Sequence, residues 1–552
     1  MIMNRVLRSH RWTKHPVILL VLAASIVLSA CSNDTSSAPV QDEAASSAAA
    51  NSDTVTIAIA SDTGIDQLDA GGYQGSMHVQ SMVYDGLVTY GEKGEIEPSL
   101  AQSWDISEDG KVYTFHLRQG VKFSDGTDMN ADAVKFSFER WIHDPSNSLN
   151  LATALQTLEV IDEHTITMTF DKAFYPFLTE LTFARPVRIL SPSAVEPAGD
   201  TEGTFNEAIG TGAWMVESYK RDQETVLVRN PHYWGETPGV SRLVLKVIPD
   251  PQSRVLALQS GEVDIAGTQM GRLPVESVPV IEGDETLELH TTGGTNSHFM
   301  IFNYQLPALQ ELEVRQAINL AINKHSIADD LMDGVGQEAK GLFPLTVPYV
   351  TEENQNWYGY DPEASRQLLA EAGYSDANGD GILEKNGQPL QLNLVLQQAE
   401  FPEWKAISEL IQYELKAIGV DLQLQVLEPN AYYDALWTTK AYDLILYRTY
   451  DDAYNPHSFL LSLFRQTGDT PAVAWSDTAL EALIDTAVAT TEPETRQAAY
   501  DDIFGRMHDQ AMFAAIYFPE EIAAVHTRLE GFAFGHTTFS PIQWDKLKAG
   551  ER

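Results

Sequence analysis

The chain has 552 residues, 43% of them apolar and 21% charged, and carries a formal net charge of −42. That length exceeds one ordinary core and predicts two or three domains, and the composition is that of a globular protein rather than a disordered one. The excess of 78 acidic over 36 basic residues excludes nucleic acid as a natural partner. Past the N-terminus, no run of about 20 apolar residues predicts a membrane span.

The N-terminus reads as a leader. Arg5, Arg8, Arg11 and Lys14 precede an apolar run from Val17 to Leu28, which Leu28-Ser29-Ala30-Cys31 closes. Cations, a short apolar stretch and small residues before a cut are the marks of a secretory signal over residues 1–31. Removing its four cations takes the net charge to −46. Cys31 is the only cysteine, so no disulfide is expected. The sequence around it resembles a bacterial lipobox, which implies a lipidated Cys31 as the first mature residue. One acyl chain would hold a membrane only marginally, whereas several anchor stably. Residues 32–53, rich in Ser and Ala, read as a flexible tether.

Thr54 to Ala60 alternates and predicts a first strand. Residues 84–141 are dense in turn signals, with short β-type runs between them. Asp109-Gly110 beside Lys111 to Leu117 is a hairpin signal, and Asn130 can cap a helix reaching Trp141. Val160 to Phe170 and Leu243 to Ile248 predict further strands, and Ser253 to Ser260 a helix. From Gly293 onward strands and helices alternate. Helices are expected at Leu312 to Ile322, after Pro362, at Trp404 to Ile418, Leu480 to Ala489 and Glu494 to Gln510. Strands are expected at Phe299 to Asn303, Leu390 to Leu396, Val420 to Val426 and Met512 to Tyr517. This pattern suggests an α/β lobe.

Catalytic motifs are missing. The sequence contains no HExxH, GxSxG or GxxxxGK[ST], and Gly210-Thr211-Gly212 lacks the third glycine of a dinucleotide loop. Asp376-Ala377-Asn378-Gly379-Asp380-Gly381 copies the opening of a calcium loop, but Gly387 occupies the position of its bidentate glutamate. A polar turn between helix and strand is expected there.

The string YDGLV, P-x-LAxSW and SxDGxxYTFxLRxGVKFSDG, followed by GTGxW, VRNPxYWG and LxxGEVDI, resembles the signature of solute-binding protein family 5, the binding components of peptide and nickel ABC importers. The resemblance runs from about Thr54 to Trp544. MHVQSMVYDGLV, AFYPFLTELTFARPVRILSPS, VIPDP and RTYDDAYNPHSFL are most similar to the nickel-binding branch. The resemblance implies an α/β, two-lobed periplasmic-binding-protein (Venus-flytrap) fold. The first lobe would span 54–295, with an extra β-rich subdomain at about 93–205. The second would span 296–515, and residues 516–552 would return to the first.

The resemblance also implies a monomeric, non-enzymatic lipoprotein of the periplasm with no resident cofactor. Its partner would be an ABC permease heterodimer of the inner membrane. Its cargo would be nickel held in a small organic chelate, or alternatively a di- or oligopeptide. Carried over residue by residue, Arg185 would anchor a carboxylate, and Tyr73 and Met77 would line the first-lobe wall. Tyr450, Asp452 and Tyr454 would face them, with His457 as a candidate metal ligand that also fits a structural role at a helix start. The chain departs from the branch at Asn147 and Asn150, in the histidine-free loop Arg465 to Thr470, and at Asp451 and Asp452. An acid opposite Arg185 would suit a zwitterion.

Overall fold

The structure, a computed structural model, describes residues 53–550 except 92–93, 143–148, 186, 451–455, 467–471, 475–476 and 538. Cys31, Asn147, Asp451, Asp452 and Tyr454 therefore lie outside the described residues.

Two large sheets organise the chain. The first has seven strands, in the order Trp214–Lys220, Glu224–Arg229, Arg242–Val247, Thr54–Ile59, Ile265–Gly267, Glu520–His526 and Leu287–Gly293. Thr54–Ile59 sits mid-sheet, parallel to both neighbours. Buried on both faces, it needs a near-continuous apolar run, and Val55 to Ile59 are all buried. The second sheet has six strands, in the order Gln337–Glu338, Phe513–Phe518, His298–Phe302, Leu444–Arg448, Gln391–Leu396 and Asp421–Val426.

Each sheet has its own core. One gathers residues between Phe299 and Phe518, the other residues between Val55 and Met270 together with Ala523 to Leu547. These are the two lobes. The chain passes between them twice, from Leu287–Gly293 to His298–Phe302 and from Phe513–Phe518 to Glu520–His526. At these crossings Gly294 lies against the Pro519 carbonyl, where a Cβ would come within 2.7 Å.

The first lobe carries a four-stranded antiparallel sheet, ordered Ala101–Ile106, Val112–Leu117, Thr165–Phe170 and Leu155–Asp162. Gly110, at φ 67°, turns the chain between its first two strands, as Asp-Gly predicts. Helix Ala131–Ile142 packs on this sheet, and the Asn130 side chain accepts the Ala133 N–H at 3.0 Å to cap it.

The dispersed signature motifs meet at one carboxylate. Asp85, from YDG, accepts hydrogen bonds from the Thr211 hydroxyl of GTG and the Trp234 indole of YWG, both at 2.8 Å. Burial raises the Asp85 pKa, which those two donors and the Arg188 guanidinium counteract. Gly210 and Gly212 run so close to the carbonyls of Val83 and Met82 that a Cβ at either position would overlap them. The glycines are there because two backbones touch.

Candidate functional site

The first-lobe wall is built on the loop ahead of helix Met77–Val83. Arg140, from the signature helix, holds that loop by its Asp69: Nη2 donates to Oδ2 at 2.5 Å and Nε to Oδ1 at 3.2 Å. The same guanidinium donates to the carbonyls of Thr201 and Gly203. The Tyr84 hydroxyl donates to the Leu68 carbonyl at 2.8 Å, and Gln80 to the Gln74 carbonyl at 3.1 Å. Tyr73 is thus presented on a braced turn, and Met77 opens the helix that follows.

Arg185 reaches this turn from a distant segment. Its Nη1 donates to the Gly75 carbonyl at 2.7 Å. The guanidinium is half-buried, and burial depresses its pKa, an effect that the Tyr73 phenol opposes. Among the described residues no carboxylate pairs with it. Gly75 and Met77 line a cavity of about 460 Å³ with Asp62, Gln269 and Met270. The structure therefore brings Tyr73, Met77 and Arg185 to one wall.

Tyr450 lies on the other lobe, just beyond strand Leu444–Arg448. Its ring packs edge-on against Phe459 at 4.9 Å, and its hydroxyl lies 2.8 Å from that of Ser462. His457 is in helix Pro456–Leu463 and is only 2% exposed. It faces Glu180 of the first lobe, with Nε2 3.5 Å from Oε1, so its ring lies at the junction of the lobes.

Two contributors escaped the sequence reading. Glu180 is fully buried, and its other oxygen accepts the Leu151 N–H at 2.7 Å. The aromatic run around it was visible, but its partner lies far along the chain. Phe539, from the C-terminal segment, packs on Phe183 at 5.8 Å, and its carbonyl accepts the Ser81 hydroxyl at 2.8 Å. The tail thereby pins the helix that carries Met77.

Among the described residues, no group of three or more His, Cys, Asp or Glu is placed to hold a metal ion. In the 376–384 loop, the Asp376 carboxylate accepts the N–H groups of Gly379 and Gly381, and Asn378 accepts that of Asp380. It is a polar turn closed on its own backbone. Among the described residues, no helix is long and apolar enough to cross a membrane.

Two lobes, two crossings and a wall presenting a guanidinium that no carboxylate meets among the described residues are the architecture of a solute-binding protein. The model of the bacterial extracellular solute-binding proteins, family 5 (middle region), matches residues 95–471, and the chain belongs to that family. It is 34% identical to the nickel-binding periplasmic protein of Escherichia coli (strain K12), over 84% of this chain and 88% of that one. It is 30% identical to heme-binding protein A of Haemophilus influenzae, over 96% and 98%. The crystal structure of NikA from Brucella suis in complex with Fe(III)-EDTA matches with a TM-score of 0.82 at 29% identity, covering 90% of this chain and 99% of that one. The chain is the solute-binding component of an ABC importer, with a role in transport and not in catalysis.

Proposed function

We propose that the protein captures nickel as a carboxylate-bearing organic chelate between its lobes and delivers it to an ABC permease heterodimer. The observation that carries this is Arg185, half-buried beside Tyr73 with no carboxylate partner among the described residues. A half-buried guanidinium gains from a bidentate carboxylate, which a metal chelate supplies. Similarity to the nickel-binding relative supports nickel as that cargo. In this reading Tyr73 and Met77 form one wall, and Tyr450, Asp452 and Tyr454 the other. His457 belongs to the lobe junction. Cys31 carries the lipid that keeps the monomer at the periplasmic membrane surface.

A second reading is a di- or oligopeptide: Asp451 and Asp452 depart from the nickel-binding branch, and an acid near Arg185 would suit a ligand with ammonium and carboxylate ends, an amino-acid or opine-type chelator and a short peptide alike.

Calorimetry on the purified protein separates the readings. Free nickel, nickel with histidine, hemin and a dipeptide mixture are titrated in turn. The expected result is saturable binding of the chelate and little response to the free ion. Arg185→Ala is expected to abolish that binding while moving the apo melting temperature little. Tight dipeptide or hemin binding with no response to the chelate overturns the nickel reading. A large loss of apo stability in the variant makes Arg185 structural.

A further inference from the structure

The lobes also meet away from Arg185. Tyr175, on the first lobe, enters a socket made wholly by the second. Its hydroxyl lies 2.9 Å from that of Tyr500. The Arg496 guanidinium sits 3.9 Å from the centre of its ring. The Tyr349 ring stands perpendicular to it at 6.4 Å, and His457 lies 6.1 Å away.

The socket is formed by second-lobe contacts alone. Tyr349 and Tyr500 stack in parallel at 4.3 Å. Tyr349 has φ 70°, a left-handed conformation that is strained for a bulky residue and persists only where its surroundings impose it. Here the surroundings are explicit. Its carbonyl accepts hydrogen bonds from Asn354 Nδ2 and Gln497 Nε2, both at 2.9 Å. Arg496 is tethered in turn, with Nη1 donating to the Thr490 carbonyl at 3.0 Å. Burial pushes the Tyr175 hydroxyl pKa far up, so it stays a neutral hydrogen-bonding group. Beside the socket, Val488 packs on the first-lobe core, and Thr491 lies against Gly110.

We propose that Tyr175 is a positioning residue for solute capture, the pin that fixes the closed position of the lobes independently of the solute. A ligand shifts an open–closed equilibrium only by its preference for the closed state, and its apparent affinity scales with the closed fraction. The pin therefore tunes affinity without touching the cargo. An aromatic edge contact, a cation–π contact and a hydroxyl pair together are of a size to change the closed-to-open ratio about tenfold or more. The inference rests on the binding-protein class alone, not on which solute is carried.

The test uses ligand-free protein. In the full chain with Cys31→Ser, spin labels are placed at Glu159→Cys on the first lobe and Lys416→Cys on the second, both exposed. Distances between them are read by double electron–electron resonance. The expected result is a dominant short distance in the unsubstituted protein and an approximately tenfold loss of that population in Tyr175→Ala. Tyr175→Phe, which keeps the ring and loses the hydroxyl, is expected to fall between, and Arg496→Met to open the protein from the opposite side. Unchanged melting in Tyr175→Phe shows that the shift is not loss of fold. A distribution that is the same in Tyr175→Ala as in the unsubstituted protein overturns the inference. So does an unsubstituted protein that is already open.

Discussion

Glu180 and His457 face one another across the lobe junction, 3.5 Å apart and both closed off from solvent. Removing one partner of a buried pair leaves the other unsatisfied, which generally costs more than the pair contributes. Glu180→Ala also strips the Leu151 N–H of its acceptor. The expected loss is on the order of 3 kcal/mol, read from urea unfolding. His457→Ala is expected to destabilise as well, while leaving the stoichiometry of chelate binding unchanged. Loss of one bound metal equivalent in that variant, without loss of stability, would restore His457 as a ligand.

Asp85 makes a graded prediction. Its Oδ2 takes both Thr211 and Trp234, and an asparagine keeps an oxygen in that place. Asp85→Asn is expected to cost on the order of 1 kcal/mol, and Asp85→Ala roughly 3 kcal/mol, since two donors lose their acceptor and the Arg188 guanidinium its neighbouring negative charge. Thermal melting of both variants checks the order. Equal losses would show that only the charge matters.

Glu414 gives a pH signature. It is buried on helix Trp404–Ala417, accepts the Asn323 N–H at 3.1 Å, and has its pKa pushed up to about 7 by burial. As pH rises from about 4.5 to about 7, the unfolded chain releases this proton while the folded chain keeps it. The native state then binds more protons, so its stability falls across that window, by on the order of 1–3 kcal/mol. Glu414→Gln is expected to remove this fall. Urea unfolding of both proteins at pH about 5 and about 7.5 is the measurement. Parallel pH dependence in the two would refute the assignment.

Much of the fold was written in local patterns. Trp404–Ala417, Phe513–Phe518 and Ala131–Ile142 fall within a residue or so of where periodicity and capping put them. These elements depend on contacts within a few residues, which a one-dimensional reading captures. The first-lobe wall was legible by a different route: only the resemblance joined Arg185 to Tyr73, because no spacing links residues so far apart. The lobe junction was not legible at all. Tyr175, Tyr349, Arg496 and Tyr500 come from four distant segments, and the left-handed backbone at Tyr349 has no local cause. Its neighbours impose it.

The double crossing between the lobes sets an order of assembly. Every strand of the second sheet lies in one unbroken run, from His298–Phe302 to Phe513–Phe518, whereas the first sheet inserts Glu520–His526 between Ile265–Gly267 and Leu287–Gly293. A chain emerging N-terminus first can finish the later-made lobe while the earlier-made one still lacks an inner strand. The helix bearing Met77 waits longer still, for Phe539 to reach Ser81. A chain cut short near its end would therefore keep a complete second lobe and lose the first. The segment around Phe539 thus adds its brace to the binding wall only after the second lobe has been made.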